Sequence, residues 1–359
     1  MSINDLHQLL REAMRDRVGF LEPPRMGHTR AAGLTVVDRK RVQINDAQRL
    51  LAHIAAQVKP LLPQGQLANY IPQLGKVDKM QFGMALLTLD GREAFVGGAD
   101  VPFSIQSISK LFALMLALER VGDDLWRRVG REPSGTRFNE LVQVDQEAGA
   151  TRNPFVNAGA LVVTDILCSS FAQPELALLQ NLRQSANDER IDIDQLVMRS
   201  ERGSCHRNAA IAHLLKSYGC IENAVDEVLD TYCRQCALTM SARQIARCAL
   251  PLALDGRSSM APEVGRLQSA HRHSVIALML TCGTYNAAGD FAARIGLPMK
   301  SGVGGGIVAV IPGVGSVCAW SPGLDEAGNS VAAGRAIELF AAHTGLSVLG
   351  SRERLHSAL

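Results

Sequence analysis

Apolar positions follow two different periods along the chain. Phe82 to Leu89 and Glu93 to Val96 read as short strands around Asp90-Gly91, a dipeptide suited to a β-hairpin turn. Gly306 to Ile311 and Ser316 to Ser321 form a second such pair around Pro312-Gly313. Elsewhere helical spacing dominates. A helix is predicted from Asn45 or Asp46 to Lys59, where Pro60 stops it, and another from about Ser330 to His343, ended by Gly345. Between the hairpins, residues 107–290 are mostly helix-patterned: Ile108–Arg120, Ala158–Ser170, Asn208–Tyr218, Ala224–Asp230, Ala242–Leu254 and Ser274–Leu280.

Two sequence-distant hairpins bracketing a helical block predict an α/β (α+β) fold. One antiparallel sheet would be built from both chain ends and flanked by helices, with a large helical subdomain at about 111–290. Residues 4–18, with Leu6, Leu9, Leu10, Met14 and Val18 on one stripe, read as an amphipathic helix. Pro23, Pro24, Gly27 and Gly33 then mark an irregular stretch. Residues 1–40 are therefore expected to be an extension outside a main domain at 41–359.

Of the 359 residues, 47% are apolar and 20% charged, and the net charge is +2. That balance suits a globular chain with a sizeable core, and excludes a disordered chain, a coiled coil and a polybasic nucleic-acid binder. No apolar run approaches the ~20 residues that span a bilayer, so no membrane partner is expected. The first thirty residues carry Asp5, Arg11, Glu12, Arg15, Asp16 and Arg17 without an apolar core segment, unlike a secretory signal. A cytoplasmic location follows as the expectation, with the eight cysteines as free thiols. Cys233 and Cys236 form a lone C-x-x-C with no matching second pair, and no H-E-x-x-H occurs, so neither a metal nor another cofactor is expected.

Two constellations carry candidate chemistry. In Ser107-Ile108-Ser109-Lys110 the serine and lysine share a face if a helix starts there. A serine hydroxyl needs a base, and a lysine can serve once its pKa falls from ~10.4 by about three units, roughly 4 kcal/mol of differential burial. The apolar run Leu111 to Leu118 supplies a dry environment. Taken alone, the motif is common and more simply fits an ordinary helix start, with Ser107 as N-cap and Lys110 solvated. The second constellation is Lys300-Ser301-Gly302-Val303-Gly304-Gly305-Gly306, opening the third strand. Its glycines let a ligand lie against the strand edge, where a backbone N–H can face an oxyanion. A bulge or a phosphate loop are the rival readings, although the Gly-Lys-Ser/Thr ending of the latter is missing.

From about Gln43 to Leu349 the chain resembles the serine-dependent bacterial glutaminases, which share the serine β-lactamase and penicillin-binding-protein fold. The resemblance rests on Asn69-Tyr70-Ile71-Pro72-Gln73-Leu74, Pro102 to Lys110, Glu132-Pro133-Ser134-Gly135 and Asn153 to Ala160. Ser200-Glu201 with Arg207-Asn208, Cys282-Gly283-Thr284-Tyr285, Lys300 to Gly306, Trp320-Ser321-Pro322 and Gly328-Asn329-Ser330 complete it. It implies hydrolysis of L-glutamine to L-glutamate and ammonia through a glutamyl-serine intermediate, with Ser107 as nucleophile and Lys110 as its base. Ser107, Asn157, Glu201, Asn208, Tyr232, Tyr285 and Val303 match the family's substrate-contacting positions. Glu201 is the anionic partner an α-ammonium requires, and Asn157, Asn208 and Tyr232 are neutral donors for a carboxylate or amide. Val303 would contribute its N–H, with that of Ser107, to an oxyanion hole.

Tyr285 is the candidate proton relay, Tyr70 is expected to line the pocket, and Lys300 and Ser301 are expected beside it. Tyr218 reads as structural. The resemblance also implies a homodimer or homotetramer. Asn286 departs from the family's usual aspartate. Two rivals remain at this point. A penicillin-recognising enzyme would share the Ser-x-x-Lys and Lys-Ser-Gly elements, and a non-catalytic binding protein could keep the same fold.

Overall fold

The computed structural model describes residues 44–135, 140–254 and 267–350. The helix predicted at 4–18 and the extension 1–40 lie outside the described residues. The strands in chain order are β1 (Gly83–Thr88), β2 (Glu93–Gly97), β3 (Phe103–Ser104), β4 (Asp192–Ile193), β5 (Leu238–Met240), β6 (Met299–Ser301), β7 (Gly306–Ile311) and β8 (Gly315–Trp320). The α-helices are α1 (Ile44–Val58), α2 (Ser109–Val121), α3 (Leu141–Gln146), α4 (Asn157–Ser170), α5 (Pro174–Ala186) and α6 (Gln195–Ser204). They continue with α7 (His206–Ser217), α8 (Val225–Cys236), α9 (Ala242–Ala249), α10 (Ser269–Cys282), α11 (Ala288–Arg294) and α12 (Val331–Thr344).

The five-stranded antiparallel sheet runs β2-β1-β8-β7-β6, so the two predicted hairpins meet at the β1–β8 seam, where Gly83 faces Trp320 and Thr88 faces Gly315. Both hairpin turns use a glycine in the left-handed region, Gly91 (φ +80°) and Gly313 (φ +72°). Alternation along the strands divides the core in two. Met84, Leu86, Ile307, Ala309, Val317 and Ala319 pack with Leu51, Ile54 and Val58 of α1 and Ile337 and Phe340 of α12. Their neighbours Ala85, Leu87, Val308, Val310, Cys318 and Trp320 join the larger core of the helical block. The caps of α12 follow the expected chemistry: the Ser330 hydroxyl accepts from the Ala333 N–H, and Gly345 closes the helix at φ +67°.

Among the differences from the sequence-based expectation, three bear on the site. The helical block carries a second antiparallel sheet, β3-β5-β4, in strands of two or three residues, too short to leave a periodic signal. The helix expected at Ile108 begins at Ser109, preceded by a 3₁₀ turn over Gln106–Ile108. The stretch Lys300 to Gly306 does not open one strand. β6 pairs with β7 through Met299–Ala309 and Ser301–Ile307, and a turn closed by the Gly305 N–H donating to Gly302 O (2.9 Å) joins them. All eight cysteines are free. Among the described residues no single helix is long and apolar enough to cross a membrane.

Candidate active site

The 3₁₀ turn holds Ser107, buried, at the entry to α2, whose first ten residues are apolar apart from Ser109 and Lys110. Three residues per turn bring Ser107 and Lys110 over one another. Lys110 is 2% exposed. Its Nζ donates to Asn157 Oδ1 (2.6 Å) and to the Phe155 carbonyl (3.3 Å). Neither partner is an anion, and burial pulls the amine down to about 8, against the charges of Cys236 and Glu201 that would raise it. Asn157, the first residue of α4, passes the network on by donating from Nδ2 to Asn208 Oδ1 (2.8 Å) on α7.

β6 and the turn after it press against the 3₁₀ turn that carries Ser107. A β-carbon on Gly302 would stand 2.4 Å from the Ile105 carbonyl and 3.2 Å from the Ser107 N, and one on Gly304 only 2.0 Å from the Ser104 carbonyl. Glycine is required at both positions because backbone meets backbone. This contact sets Val303 beside Ser107. Tyr285 is buried at φ +56°; its hydroxyl donates to the Ser301 carbonyl (3.4 Å) and is hydrogen-bonded to Ser107. Burial pushes the phenol up to about 12, with both hydrogen bonds opposing. Lys300 is fully buried, donating from Nζ to the carbonyls of Ser301 (2.6 Å) and Gly283 (3.2 Å) and lying 4.8 Å from the Tyr285 ring centroid. Burial first, and the charge of Lys110 second, hold its amine well below the usual lysine range.

A cleft of about 520 Å³ opens over Ser107. Tyr70, Asn157, Glu201, Asn208, Tyr232 and Val303 line it with Ser107, while Lys110, Lys300, Ser301 and Tyr285 stand behind that lining. Tyr285 instead borders a smaller cleft of about 200 Å³, and Asn286 borders both. Glu201 comes from α6, Asn208 from α7 and Tyr232 from α8. The Glu201 carboxyl is raised above its usual value by burial, partly offset by a hydrogen bond from Gln106 and by the charge of Lys110. Burial also raises the Tyr232 phenol well above its ordinary value, so it remains a neutral donor. Tyr218 lies away from the cleft, half-exposed, its hydroxyl donating to Asp145 Oδ1 (2.8 Å).

The cleft also contains residues to which sequence reasoning gave no role, chiefly Gln106 and the loop Asp325 to Ala327. The loop lies between the motifs Trp320-Ser321-Pro322 and Gly328-Asn329-Ser330, so its place was within reach of them. Gln106 carried no signal of its own: it sits at φ +50°, a conformation that glycine or asparagine would have advertised.

The family model for glutaminases matches residues 65–349. The chain belongs to the glutaminase family. It is an enzyme of that class, a glutaminase, as are its relatives. A glutaminase of Rhizobium rhizogenes is 51% identical over 313 residues, covering 85% of this chain and 99% of the relative. A glutaminase of Paraburkholderia phytofirmans is 51% identical over 301 residues, 83% of this chain and 98% of the relative. Among solved structures, a probable glutaminase of Bacillus subtilis superposes with a TM-score of 0.77 at 32% identity, covering 85% of this chain and 98% of that one. A covalent complex of a Bacillus subtilis glutaminase with 5-oxo-L-norleucine, formed by reaction with 6-diazo-5-oxo-L-norleucine, superposes at 0.74 and 32% identity, over 84% of this chain and 99% of that one. The β-lactamase-like fold expected of the glutaminases is thus the fold of this chain.

Proposed function

We propose that this glutaminase works through a glutamyl ester on Ser107, with Lys110 as the base. The observation that carries this is the buried Lys110 amine, drawn down to about 8 and held by neutral acceptors one 3₁₀ turn from a serine at the floor of the cleft. A neutral amine in that position takes the Ser107 proton as the hydroxyl attacks the side-chain carboxamide of glutamine. The N–H groups of Ser107 and Val303 receive the oxyanion, a contribution of roughly 3 kcal/mol per donor. Tyr285, protonated throughout the neutral range, passes a proton between Ser107 and the departing nitrogen. Ammonia leaves, water attacks the ester, and L-glutamate is released. Lys300 and Ser301 act from behind, fixing Tyr285 and the β6 edge.

At the far end of the cleft, Glu201 receives the α-ammonium, while Asn157, Asn208 and Tyr232 hold the carboxylate and amide. Tyr70 covers the pocket. Every group in this scheme is a side chain or backbone N–H of the chain itself. The covalent complex of the Bacillus subtilis relative supports the reading, since a diazoketone on glutamine's carbon skeleton reacts with that protein to leave a covalent adduct. We further propose that the protein is cytoplasmic and a homotetramer or homodimer, as the family resemblance implies; light scattering of the purified protein tests the assembly.

The deciding experiment is ammonia release from L-glutamine by wild type, Ser107→Ala and Lys110→Ala, with asparagine and a chromogenic β-lactam alongside. Glutamine turnover lost in both variants, and peptide mass mapping of 6-diazo-5-oxo-L-norleucine to Ser107, support the scheme. Turnover in Ser107→Ala overturns it. Hydrolysis of the β-lactam alone would move the chain toward the penicillin-recognising enzymes.

A further inference from the structure

The large sheet has two edge strands, and they are finished differently. β6 is covered: its residues are buried, and the Ser301 N–H donates to the Gly283 carbonyl (3.1 Å). β2 is the open edge, half-buried or exposed at every residue but Ala94. In its ladder with β1, the Thr88 N–H donates to the Arg92 carbonyl (2.9 Å) and the Gly98 N–H to the Phe82 carbonyl (2.8 Å). The even-numbered residues of this stretch therefore turn their backbone groups toward β1. The N–H and C=O of Glu93, Phe95 and Gly97 point off the edge. Such a row is a template for another strand. At its centre the template is occupied. Gln48, near the start of α1, donates from Nε2 to the Phe95 carbonyl (2.7 Å) and accepts at Oε1 from the Phe95 N–H (3.1 Å). One carboxamide thus makes both bonds that a neighbouring strand would make there.

We propose that the β2 edge is a self-association surface for a second copy of this chain, and that Gln48 is the latch that keeps it closed. The edge is self-complementary. Two β2 strands related by a two-fold axis at Phe95 pair antiparallel, so each Phe95 exchanges both bonds with the other and Glu93 comes opposite Gly97. No carboxylate faces a carboxylate in that register, and Glu93 is already paired with Arg243 and Arg247. Phe95, 40% exposed with Arg243 stacked on its ring (4.4 Å), meets its own counterpart across the seam. Opening the latch takes only a side-chain rotation, since α1 stays seated on the sheet through Leu51, Ile54 and Val58. Neither α1 nor β2 lines the cleft over Ser107, so the edge can open without disturbing the site.

The test measures the mass of the full-length protein by sedimentation and light scattering, from about 1 to 100 µM. Wild type is the baseline at each concentration for Gln48→Ala, Gln48→Glu and the double variant Gln48→Ala/Phe95→Pro. Gln48→Ala should add mass that rises with concentration to at least about twice the wild-type value, with glutamine turnover per chain within about twofold of wild type. A glutamate at 48 still accepts from the Phe95 N–H but cannot donate to its carbonyl. Gln48→Glu should therefore associate less than the alanine variant, and it serves alone if that variant does not fold. Proline at 95 removes the outward N–H and leaves the ladder to β1 intact, so the double variant should return to the wild-type mass. Hydrogen exchange gives a second reading. The Phe95 amide should exchange at least about tenfold faster in dilute Gln48→Ala than in wild type, and slow again as the variant associates. A latch-free variant that keeps the wild-type mass at every concentration would overturn the proposal. Added mass that persists in the double variant would overturn it as well, because association then runs through another surface.

Discussion

At the end of the cleft where we place the reaction, Ser107, Val303 and Tyr285 are fixed by backbone: a 3₁₀ turn, a strand edge packed at glycine and a left-handed tyrosine. At the head-group end, Glu201, Asn208 and Tyr232 hang as side chains from three successive helices, α6, α7 and α8. The first arrangement resists displacement, because moving Ser107 means moving Gly302 and β6 with it. The second depends on side-chain hydrogen bonds and on helix packing. Damage at the reacting end should therefore appear in kcat, and damage at the head-group end in KM.

Five measurements would break or sharpen that contrast. Removing the proposed nucleophile is the largest: Ser107→Ala should lower kcat by at least about 10⁴-fold while calorimetry still detects glutamine binding. Gly302→Ala comes next. Its new β-carbon would meet the Ile105 carbonyl at 2.4 Å, so the strand edge must retreat, and kcat should fall about 10²-fold with a smaller change in KM. A rise in KM alone would mean that the two ends are not built differently. Glu201→Gln keeps the shape and removes the charge, and KM for glutamine should rise about 10- to 100-fold with kcat little changed.

The smallest effect concerns helix α6. A β-carbon on Gly203 would meet nothing within 4 Å, and the residue lies in ordinary helical backbone. Gly203→Ala should therefore stabilise the fold by up to about 1 kcal/mol, read as a higher unfolding midpoint. In the wild type, activity should climb as pH rises and level off above about 8. The amine must be neutral to act, and its depressed value puts half the molecules in that form near pH 8. A profile flat from neutral pH upward would remove Lys110 from the role of base.

The same contrast explains what the sequence alone revealed. The reacting end was legible because its members lie close together in the chain, Ser107 with Lys110 and Lys300 with Val303, and because glycines mark a backbone approach. The large sheet was legible from alternation and from Asp90-Gly91 and Pro312-Gly313. Glu201, Asn208 and Tyr232 are scattered over three helices, and only the family resemblance drew them together. Periodicity predicted the helix that begins near Asn208 but not α6, which is mostly polar with only Val197 and Glu201 of its residues buried, and it gave no reason to bring the three side chains together. Gln106 and the small β3-β5-β4 sheet were invisible for local reasons. A two-residue strand has no period, and a glutamine in left-handed backbone has no propensity to announce it.

The seam between β1 and β8 has a consequence for how the protein is made. Gly83 finds its partner Trp320 only after the intervening helical block has left the ribosome, which at 5–20 residues per second takes roughly ten to fifty seconds. Through that interval β1 keeps one ladder edge open, and Met84, Leu86 and Leu87, all buried in the finished sheet, have no second sheet neighbour to cover them. The nascent chain thus offers chaperones an apolar hairpin for most of its synthesis, and a message cut short before residue 320 yields a helical block without the strand that completes its sheet.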